Sequence, residues 1–296
     1  MRTLMRLQGI LLSAIIMLYI ASCTNKYDSQ LEDEQKRIDD YLKHVDLPYE
    51  VKDSGIIYIK VNEGDSLKVK KGDFIRISIN GCILGENLIE ENKDTNLYLI
   101  VGDRLLIPGV EYGLTLMHRN ETARFIVPFR MAFYNIEDKN KNYNTYLFEI
   151  KVVEVIEDTL TWEFNRIKKY IADKKFNIEP DSMGFCYIPI KTGTGSAIQE
   201  GDYVYIEYIA STLDSVIFSY ALQANQLSIR YKYTKIFAGL EKALSMMKVG
   251  DEALIIIPSS MAYGRNYAFS AVDNKTVIIP AYSTLLYHVY IYNKLP

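Results

Sequence analysis

The sequence has few of the side chains that ordinary catalysis uses. Among its 296 residues are three histidines, three cysteines and one tryptophan. The histidines, His44, His118 and His288, are scattered and show no metal-ligand spacing, so we predict no metal site and no cofactor. The formal net charge is only −3 and no basic stripe is present, which argues against a nucleic-acid partner.

The sequence also lacks an apolar run long enough to span a bilayer comfortably. Arg2 and Arg6 precede a short apolar run, 10–21, of the length typical of a secretory signal. The run ends in IASC at 20–23, which resembles the lipobox of bacterial lipoproteins. That resemblance implies cleavage before Cys23 and lipidation of this cysteine. An ordinary signal peptide with a chance cysteine is the alternative.

These features predict a signal peptide at 1–22 and a polar tether at 23–32. We therefore expect an exported protein that a lipid anchors to the bacterial cell envelope, most consistent with the outer membrane of a Gram-negative bacterium. The sequence does not distinguish the periplasmic side of the membrane from the surface side. Cys82 and Cys186 fall in different halves of the chain, so we expect two free, buried thiols rather than a disulfide.

The chain contains an internal repeat at an offset of 128 to 130 residues. DSGIIYIKVNEGD from Asp53 recurs as DSMGFCYIPIKTGTG from Asp181, and VPFRMAF, ending at Phe133, recurs as IPSSMAY, ending at Tyr263. The two copies are joined by a short polar bridge, 154–161. The repeat therefore predicts two copies of one domain.

Each copy has the same order of predicted elements. A charged amphipathic helix opens it, with Ile38, Tyr41, Leu42 and Val45 on one face in the first copy, and with Phe164, Ile167 and Ile171 in the second. Alternating strands follow, such as YVYIEYIA at 203–210, and 235–251 is predicted as one amphipathic helix of about three turns that is closed by a turn at 249–251. The carboxylates of 30–40 are interpreted as a solvated helix face. This order predicts an α+β fold.

Three stretches of the C-terminal copy carry a family resemblance. They are GDYVYIEYIA from Gly201, IFAGLEKALSMMKVGDEALIIIPSSMAYG from Ile236, and VIIPAYSTLLYHV from Val277. Together they resemble the FKBP-type peptidyl-prolyl isomerases, and the N-terminal copy resembles that family only through its similarity to the second copy. The resemblance implies two FKBP-like domains, each an antiparallel sheet wrapped on a short helix, with an extra N-terminal helix. We place a degenerate domain at 33–155 and one with a partly retained pocket at 156–296.

The resemblance also implies a set of pocket residues. Those expected to be catalytic are Tyr208, Phe218, Ile236, Phe237, Leu240, Tyr263, Ile279 and Tyr287, and those expected to bind substrate are Ser219, Leu227 and Ile278. Tyr263 would form an aromatic wall with a hydroxyl able to anchor a carbonyl. The loop 265–276 is long enough to form a flap, and Tyr267 or Phe269 would supply its rim or cover an edge.

Two positions depart from the family pattern. Ser219 stands where an aspartate normally follows the phenylalanine, and Leu240 replaces the tryptophan that usually floors the pocket. In the N-terminal copy Ile79, Val110 and Phe133 replace the strand tyrosine, the floor residue and the Ala-Tyr-Gly tyrosine. The interval that carries the flap is also nine residues shorter there, between Ala132 and Phe148 against Ala262 and Tyr287. We expect no isomerase activity from that copy.

Two classes of function remain open at this point. The first is a peptidyl-prolyl isomerase that helps exported, proline-containing polypeptides to fold at the envelope, with activity in the C-terminal domain. The second is a non-catalytic polypeptide-binding or assembly module anchored to the membrane. Ser219 and Leu240 favour the second class, whereas Tyr208, Phe218, Ile279 and Tyr287 favour the first.

The lipid anchor predicts a fractionation result. Cys23→Ser removes the acceptor thiol, so the protein is expected to move from the membrane fraction to the soluble fraction when the cells are lysed. Lipoproteins of the bacterial type carry several acyl chains on this cysteine, and two chains suffice for stable attachment. Unchanged fractionation together with an unacylated mature N-terminus would contradict the prediction.

Overall fold

The computed structural model describes residues 27–86, 96–133, 143–222, 225–274 and 276–296. Cys23 and the rest of the predicted signal and lipobox lie outside the described residues. The chain divides into two units, and the boundary falls between Val155 and Ile156. We call them the N-terminal unit and the C-terminal unit.

The N-terminal unit contains two helices and a six-stranded sheet among its described residues. In chain order these are α1 (27–42), β1 (Tyr49–Val51), β2 (Ile57–Asn62), β3 (Phe74–Ile83), β4 (Asn96–Ile100), α2 (Pro108–Leu114), β5 (Thr122–Val127) and β6 (Tyr146–Ile156). The strand order is β1-β2-β5-β6-β3-β4. The pairs β1–β2, β2–β5, β5–β6 and β3–β4 are antiparallel.

The C-terminal unit has a similar order, but its described residues contain no counterpart of β1 and include one further strand and a small hairpin. Its elements are α3 (Thr159–Asp173), β7 (Cys186–Lys191), β8 (Tyr203–Thr212), β9 (Ile217–Ala221), β10 (Leu227–Arg230), α4 (Ala238–Ser245), β11 (Glu252–Ile257), β12 (Ala268–Phe269), β13 (Val277–Ile279) and β14 (Leu285–Leu295). The main sheet has the order β10-β8-β14-β11-β7, with β9 also paired to β8. Strands β12 and β13 form a separate antiparallel pair.

Strand β8 shows the alternation that the sequence predicts. Val204 and Ile206 are fully buried, whereas Tyr203 is 44% exposed. Successive side chains of a strand point to opposite faces, so Val204, Ile206 and Tyr208 share the core face. The burial pattern confirms the predicted direction of these side chains. That direction decides which β8 residues can line a site.

Both faces of each sheet are covered. In the C-terminal unit the larger core lies between the sheet and α4, and a smaller one joins Ile167 and Ile171 of α3 to Ile256 and Leu286 on the other face. The N-terminal unit has the same two cores, and Ile38, Tyr41, Leu42 and Val45 pack in its smaller one as predicted. The long N-terminal helix of each unit is therefore part of the folded domain.

A glycine brings each short helix close to the sheet. A Cβ atom on Gly239 of α4 would lie 2.2 Å from Cγ2 of Ile257, and one on Gly109 of α2 would lie 2.3 Å from Cγ1 of Val127. Real Cβ atoms do not approach other atoms so closely, so the helix backbone rests directly on the strand. The same contact is built at the same place in both units.

The prediction for 235–251 was wrong in the length of the helix, whereas the predicted closing turn at 249–251 is present. Helix α4 has only eight residues, and Phe237 before it is extended, with φ −65° and ψ 145°. After the helix, the Asp251 carboxylate accepts hydrogen bonds from the amides of Lys248 and Gly193. These bonds hold a turn in which Gly250 takes a φ of +89°, so the chain cannot remain helical there.

The two described cysteines are free and buried, as predicted. Burial raises the pKa of the Cys82 thiol, and it raises the pKa of Cys186 to about 11. A thiol with so high a pKa is a poor nucleophile at neutral pH. In the part of the chain that is described, no helix is both long enough and apolar enough to cross a membrane.

The C-terminal unit is expected to fold alone because both of its cores are made from its own residues. A fragment from Ile156 to Pro296 keeps Asp158, whose carboxylate caps α3 through the amides of Leu160 and Thr161. Circular dichroism should show one cooperative thermal transition. A fragment that aggregates or melts without cooperativity would show that the units depend on each other.

Candidate functional site

Most of the predicted site residues meet in the larger core of the C-terminal unit. Leu240, Ile279 and Tyr287 are buried in it. The partly buried residues packed against it include Tyr208, Phe218, Ile236, Phe237, Tyr263 and Ile278. Strands β8, β9, β13 and β14, the segment before α4 and the turn after β11 thus all contribute to one place.

Five rings form an aromatic cluster, defined here as Tyr208, Phe218, Phe237, Tyr263 and Tyr287. The Tyr287 ring lies 5.6 Å from that of Tyr208 and 6.2 Å from that of Phe218, the second at an interplanar angle of 71°. The rings of Phe237 and Tyr263 are 4.7 Å apart. These separations are typical of favourable aromatic contacts, so the cluster offers an apolar surface of fixed shape.

Ser219 holds the hydroxyl of Tyr208. The two side-chain oxygens are 2.8 Å apart, and either can donate the proton. Pairing of Ala210 with Ser219 between β8 and β9 brings the two side chains together. The serine at this position therefore keeps a hydrogen bond to the tyrosine, and it does so without a negative charge.

Burial makes two of the tyrosines weaker acids. It raises the pKa of Tyr287 strongly, and the nearby Tyr208 and Tyr263 raise it further. The pKa of Tyr263 is raised by burial first and then by Tyr208. Tyr263 and Tyr287 therefore stay neutral at pH 7 and can donate hydrogen bonds.

Two donors near the cluster have no acceptor among the described residues. One is the backbone amide of Phe237, which lies at the N-cap of α4, where helix amides lack intrahelical partners. The other is the hydroxyl of Tyr263. The cluster therefore combines apolar walls with donors that are available to a bound carbonyl group.

A tight turn presents Tyr263. Residues Ser259–Met261 form a 3₁₀ turn after β11, and the amide of Gly264 donates to the carbonyl of Ser259 at 2.8 Å. Gly264 has a φ of +60°, which glycine adopts without strain. The glycine after the tyrosine is thus required by the turn that directs Tyr263.

The predicted flap is present as a closed loop. The amide of Tyr282 donates to the carbonyl of Gly264 at 2.8 Å, which closes the base of the loop. Within the loop β12 pairs with β13, and Ala268 and Ile278 pack against the core. Phe269 is 41% exposed, so its ring lies at the surface.

Leu227 is not brought into the cluster. It lies at the start of the edge strand β10 and is 37% exposed, whereas Ile229 on the same strand is buried in the core. The two side chains lie on the same face of β10, but the residues that bury Ile229 do not reach as far as Leu227. Leu240 is buried in α4, where it fills less volume than the tryptophan of the family pattern.

The N-terminal unit keeps the core at these positions and loses the polar groups. Ile79 is partly buried, Val110 is buried and Phe133 is 56% exposed. The ring of Phe148 lies so close to Gly81 that a Cβ atom there would be 2.5 Å from it. The described residues of this unit contain no counterpart of the β12–β13 hairpin.

The sequence analysis missed two buried glutamates, Glu163 behind the candidate site and Glu34 at the corresponding place in the N-terminal unit. Glu163 is 4% exposed and Glu34 only 3%, so the interpretation of 30–40 as a fully solvated face was wrong at Glu34. Glu163 shares the spacing i, i+4, i+8 with Ile167 and Ile171, which places it on the buried face of α3. That periodicity was the available signal.

The described residues contain no group of three or more histidine, cysteine, aspartate or glutamate side chains placed to hold a metal ion. The groups that the candidate site presents are aromatic rings, hydroxyls and one backbone amide.

The contact between Tyr208 and Ser219 is testable by a double-mutant cycle. Tyr208→Phe and Ser219→Ala each remove one partner, so their effects on the free energy of unfolding of the C-terminal unit should couple by about 0.5–1.5 kcal/mol. Denaturant titration of the two single variants and the double variant measures this coupling. Additive effects would contradict the hydrogen bond.

Comparison with known proteins was made at the level of families, curated proteins and solved structures. The family described as FKBP-type peptidyl-prolyl cis-trans isomerase matches residues 65–153 and again 195–292. The chain is 24% identical to the mouse peptidyl-prolyl cis-trans isomerase FKBP10 over 218 residues, which are 71% of this chain and 34% of that protein. Rat FKBP9 is 24% identical over 224 residues, 74% of this chain and 35% of that protein.

The chain thus spans about a third of the length of these curated relatives. Among solved structures, a peptidyl-prolyl cis-trans isomerase from Pseudomonas syringae is 21% identical, covers 48% of this chain and 96% of its own, and superposes with a TM-score of 0.39. One family match lies in each unit, and the two together make up more than half of the chain. The chain belongs to the FKBP-type peptidyl-prolyl cis-trans isomerase family and contains two of its α+β domains in tandem.

Proposed function

We propose that the C-terminal unit is a peptidyl-prolyl cis-trans isomerase and that the N-terminal unit is not catalytic. The observation that carries the proposal is the aromatic cluster, which is apolar and lies beside two donors without acceptors. The N-terminal unit has hydrophobic replacements at the corresponding positions and a phenylalanine ring packed onto Gly81.

The reaction needs an apolar pocket more than it needs reactive groups. Rotation about an amide gives up resonance across a barrier of about 18–20 kcal/mol. The twisted transition state is less dipolar than the planar ground state, so a pocket that excludes water favours the twisted form. Binding the transition state more strongly than the ground state lowers the barrier without a nucleophile, a metal or a proton transfer.

The geometry supports a role for each group. Tyr208, Phe218 and Tyr287 would contact the prolyl ring, with Leu240 below it. The Tyr263 hydroxyl and the Phe237 amide would donate to substrate carbonyls on either side of the proline. Ile278 and Ile279 would cover the ring from the flap, while Ser219 keeps the Tyr208 hydroxyl in place.

We also propose that the chain acts at the bacterial cell envelope on exported polypeptides that contain proline. The support is the sequence alone: an apolar run of signal length, the lipobox resemblance that ends at Cys23, and the polar tether after it. A lipid on Cys23 would place the isomerase where newly exported chains fold.

A polypeptide-binding module without catalysis is the second candidate function. The smaller floor residue Leu240 and the uncharged Ser219 favour it, since both change groups that surround the prolyl ring. A protein that binds unfolded polypeptide but leaves the rate of prolyl isomerisation at the uncatalysed value has this function.

Tyr263→Phe tests the catalytic proposal. The substitution keeps the ring and removes the hydroxyl donor, and one such hydrogen bond contributes about 0.5–1.5 kcal/mol. The isomerisation rate of a proline-containing test peptide should therefore fall about two- to tenfold, with the melting temperature unchanged.

Tyr292→Phe is the matched control, because Tyr292 is 56% exposed on β14 and lies outside the aromatic cluster. Its rate should equal that of the wild type. If the wild-type chain does not accelerate isomerisation above background, the catalytic proposal fails. If it then still binds unfolded polypeptide, the binding module replaces it.

A further inference from the structure

A buried carboxylate lies behind the candidate site, on a helix that the family match of 195–292 does not include. Two segments present the walls of the site: the turn after β11, which carries Tyr263, and the start of β14, which carries Tyr287. Glu163 of α3 accepts hydrogen bonds from both segments.

The carboxylate accepts three hydrogen bonds. Its Oε1 atom accepts from the amide of Ser259 at 2.7 Å and from Oγ1 of Thr284 at 2.6 Å, and its Oε2 atom accepts from Oγ of Ser259 at 2.7 Å. Ser259 and Thr284 are each 3% exposed. Removal of the carboxylate would leave buried donors without acceptors, which costs more than the loss of the bonds themselves.

Hydrogen bonds to Ser259 fix the backbone on both sides of Tyr263. The carbonyl of Ser259 accepts from the amide of Ala262 at 2.9 Å and from that of Gly264 at 2.8 Å, the two residues on either side of Tyr263. A shift of Ser259 therefore moves the backbone before and after the tyrosine. The hydroxyl of Tyr263 moves with it.

Thr284 links Glu163 to the segment that carries Tyr287. It directly precedes β14, and Tyr287 lies three residues further on. The carbonyl of Thr284 also accepts from the amide of Leu213, which follows β8, the strand of Tyr208. The segment that carries Tyr263 and the segment that carries Tyr287 thus both donate to the carboxylate of Glu163.

We propose that Glu163 is a positioning residue for prolyl isomerisation, fixing the Tyr263 turn relative to β14 so that the aromatic cluster keeps its shape. This proposal rests on the proposed function of the same site. It also makes α3, which packs on the face of the sheet opposite α4, part of the machinery of the domain.

The N-terminal unit supplies a matched control. Glu34 accepts from the amide of Phe129 and from Oγ1 of Thr145, both at 2.8 Å. Phe129 begins the corresponding 3₁₀ turn, and Thr145 directly precedes β6. The same anchor is therefore present in a unit whose described residues lack the tyrosines and the hairpin of the candidate site.

The experiment compares Glu163→Ala, Glu163→Gln and Glu34→Ala in the full chain. An alanine removes the acceptor, whereas a glutamine can accept from the Ser259 amide and from Thr284, and its NH₂ group can donate to the Ser259 hydroxyl. The rate of isomerisation of a proline-containing peptide gives kcat and KM, and hydrogen exchange of the Ser259 amide measures the anchor directly.

In Glu163→Ala we expect kcat/KM to fall about ten- to a hundredfold, since small misplacements of catalytic groups have effects of that size. The Ser259 amide should lose its protection. Glu163→Gln should restore both rate and protection. Glu34→Ala should expose the Phe129 amide and leave the rate unchanged, because it removes the same anchor from the unit that we propose is not catalytic.

Thr284→Val covers the case in which Glu163→Ala does not fold, since it removes one bond and keeps the shape of the side chain. Its rate should fall about two- to tenfold, whereas Thr145→Val should have the wild-type rate. A folded Glu163→Ala variant with the wild-type rate overturns the proposal, and so does an equal loss of rate in Glu34→Ala.

The proposed function and the positioning role fail separately. If the wild-type chain has no isomerase activity, the proposed function is contradicted and the exchange measurement decides the role of Glu163. Unchanged protection of the Ser259 amide in Glu163→Ala then overturns the anchor, whereas lost protection supports it.

Discussion

Side-chain alternation along β8 forces the core and the candidate pocket to share one face of the sheet. Val204 and Ile206 are fully buried in the core, and Tyr208 follows them on the same face. Every wall of the candidate pocket is therefore a core residue or packs against the core. A substitution in a wall consequently alters the packing of the core as well as the contact with a substrate.

The residue pattern alone predicts the direction of the β8 side chains and the division into two similar units. The period of two on β8 predicts which tyrosine faces inward, and the repeat predicts two units with the same order of elements. The grouping of Tyr208, Phe218, Tyr263 and Tyr287 came instead from family resemblance, since these residues belong to separate strands and loops. No local pattern brings them together.

Other features depend on tertiary contacts and escaped prediction. Helix α4 is shorter than predicted because Phe237 before it is extended and the helix already ends at Ser245. Leu227 is exposed because the residues that cover the core do not reach the first residue of the edge strand β10. The spacing of Glu163 with Ile167 and Ile171 indicates a buried position, but its partners Ser259 and Thr284 lie about a hundred residues later, so no local pattern identifies them.

The two units separate what the fold needs from what the site needs. Both have a glycine between the short helix and the sheet, and both have a buried glutamate that binds the turn and the last strand. Only the C-terminal unit has the Tyr208–Ser219 hydrogen bond and the flap hairpin among the described residues. Ile79 takes the place of Tyr208 in the N-terminal unit, and the Phe148 ring, which packs against Gly81, takes the place of Tyr287. The fold therefore does not need a tyrosine at either position. What Tyr208 and Tyr287 add in the C-terminal unit is hydroxyl groups at the edge of an apolar surface, which is what a substrate with carbonyl groups beside a prolyl ring would use.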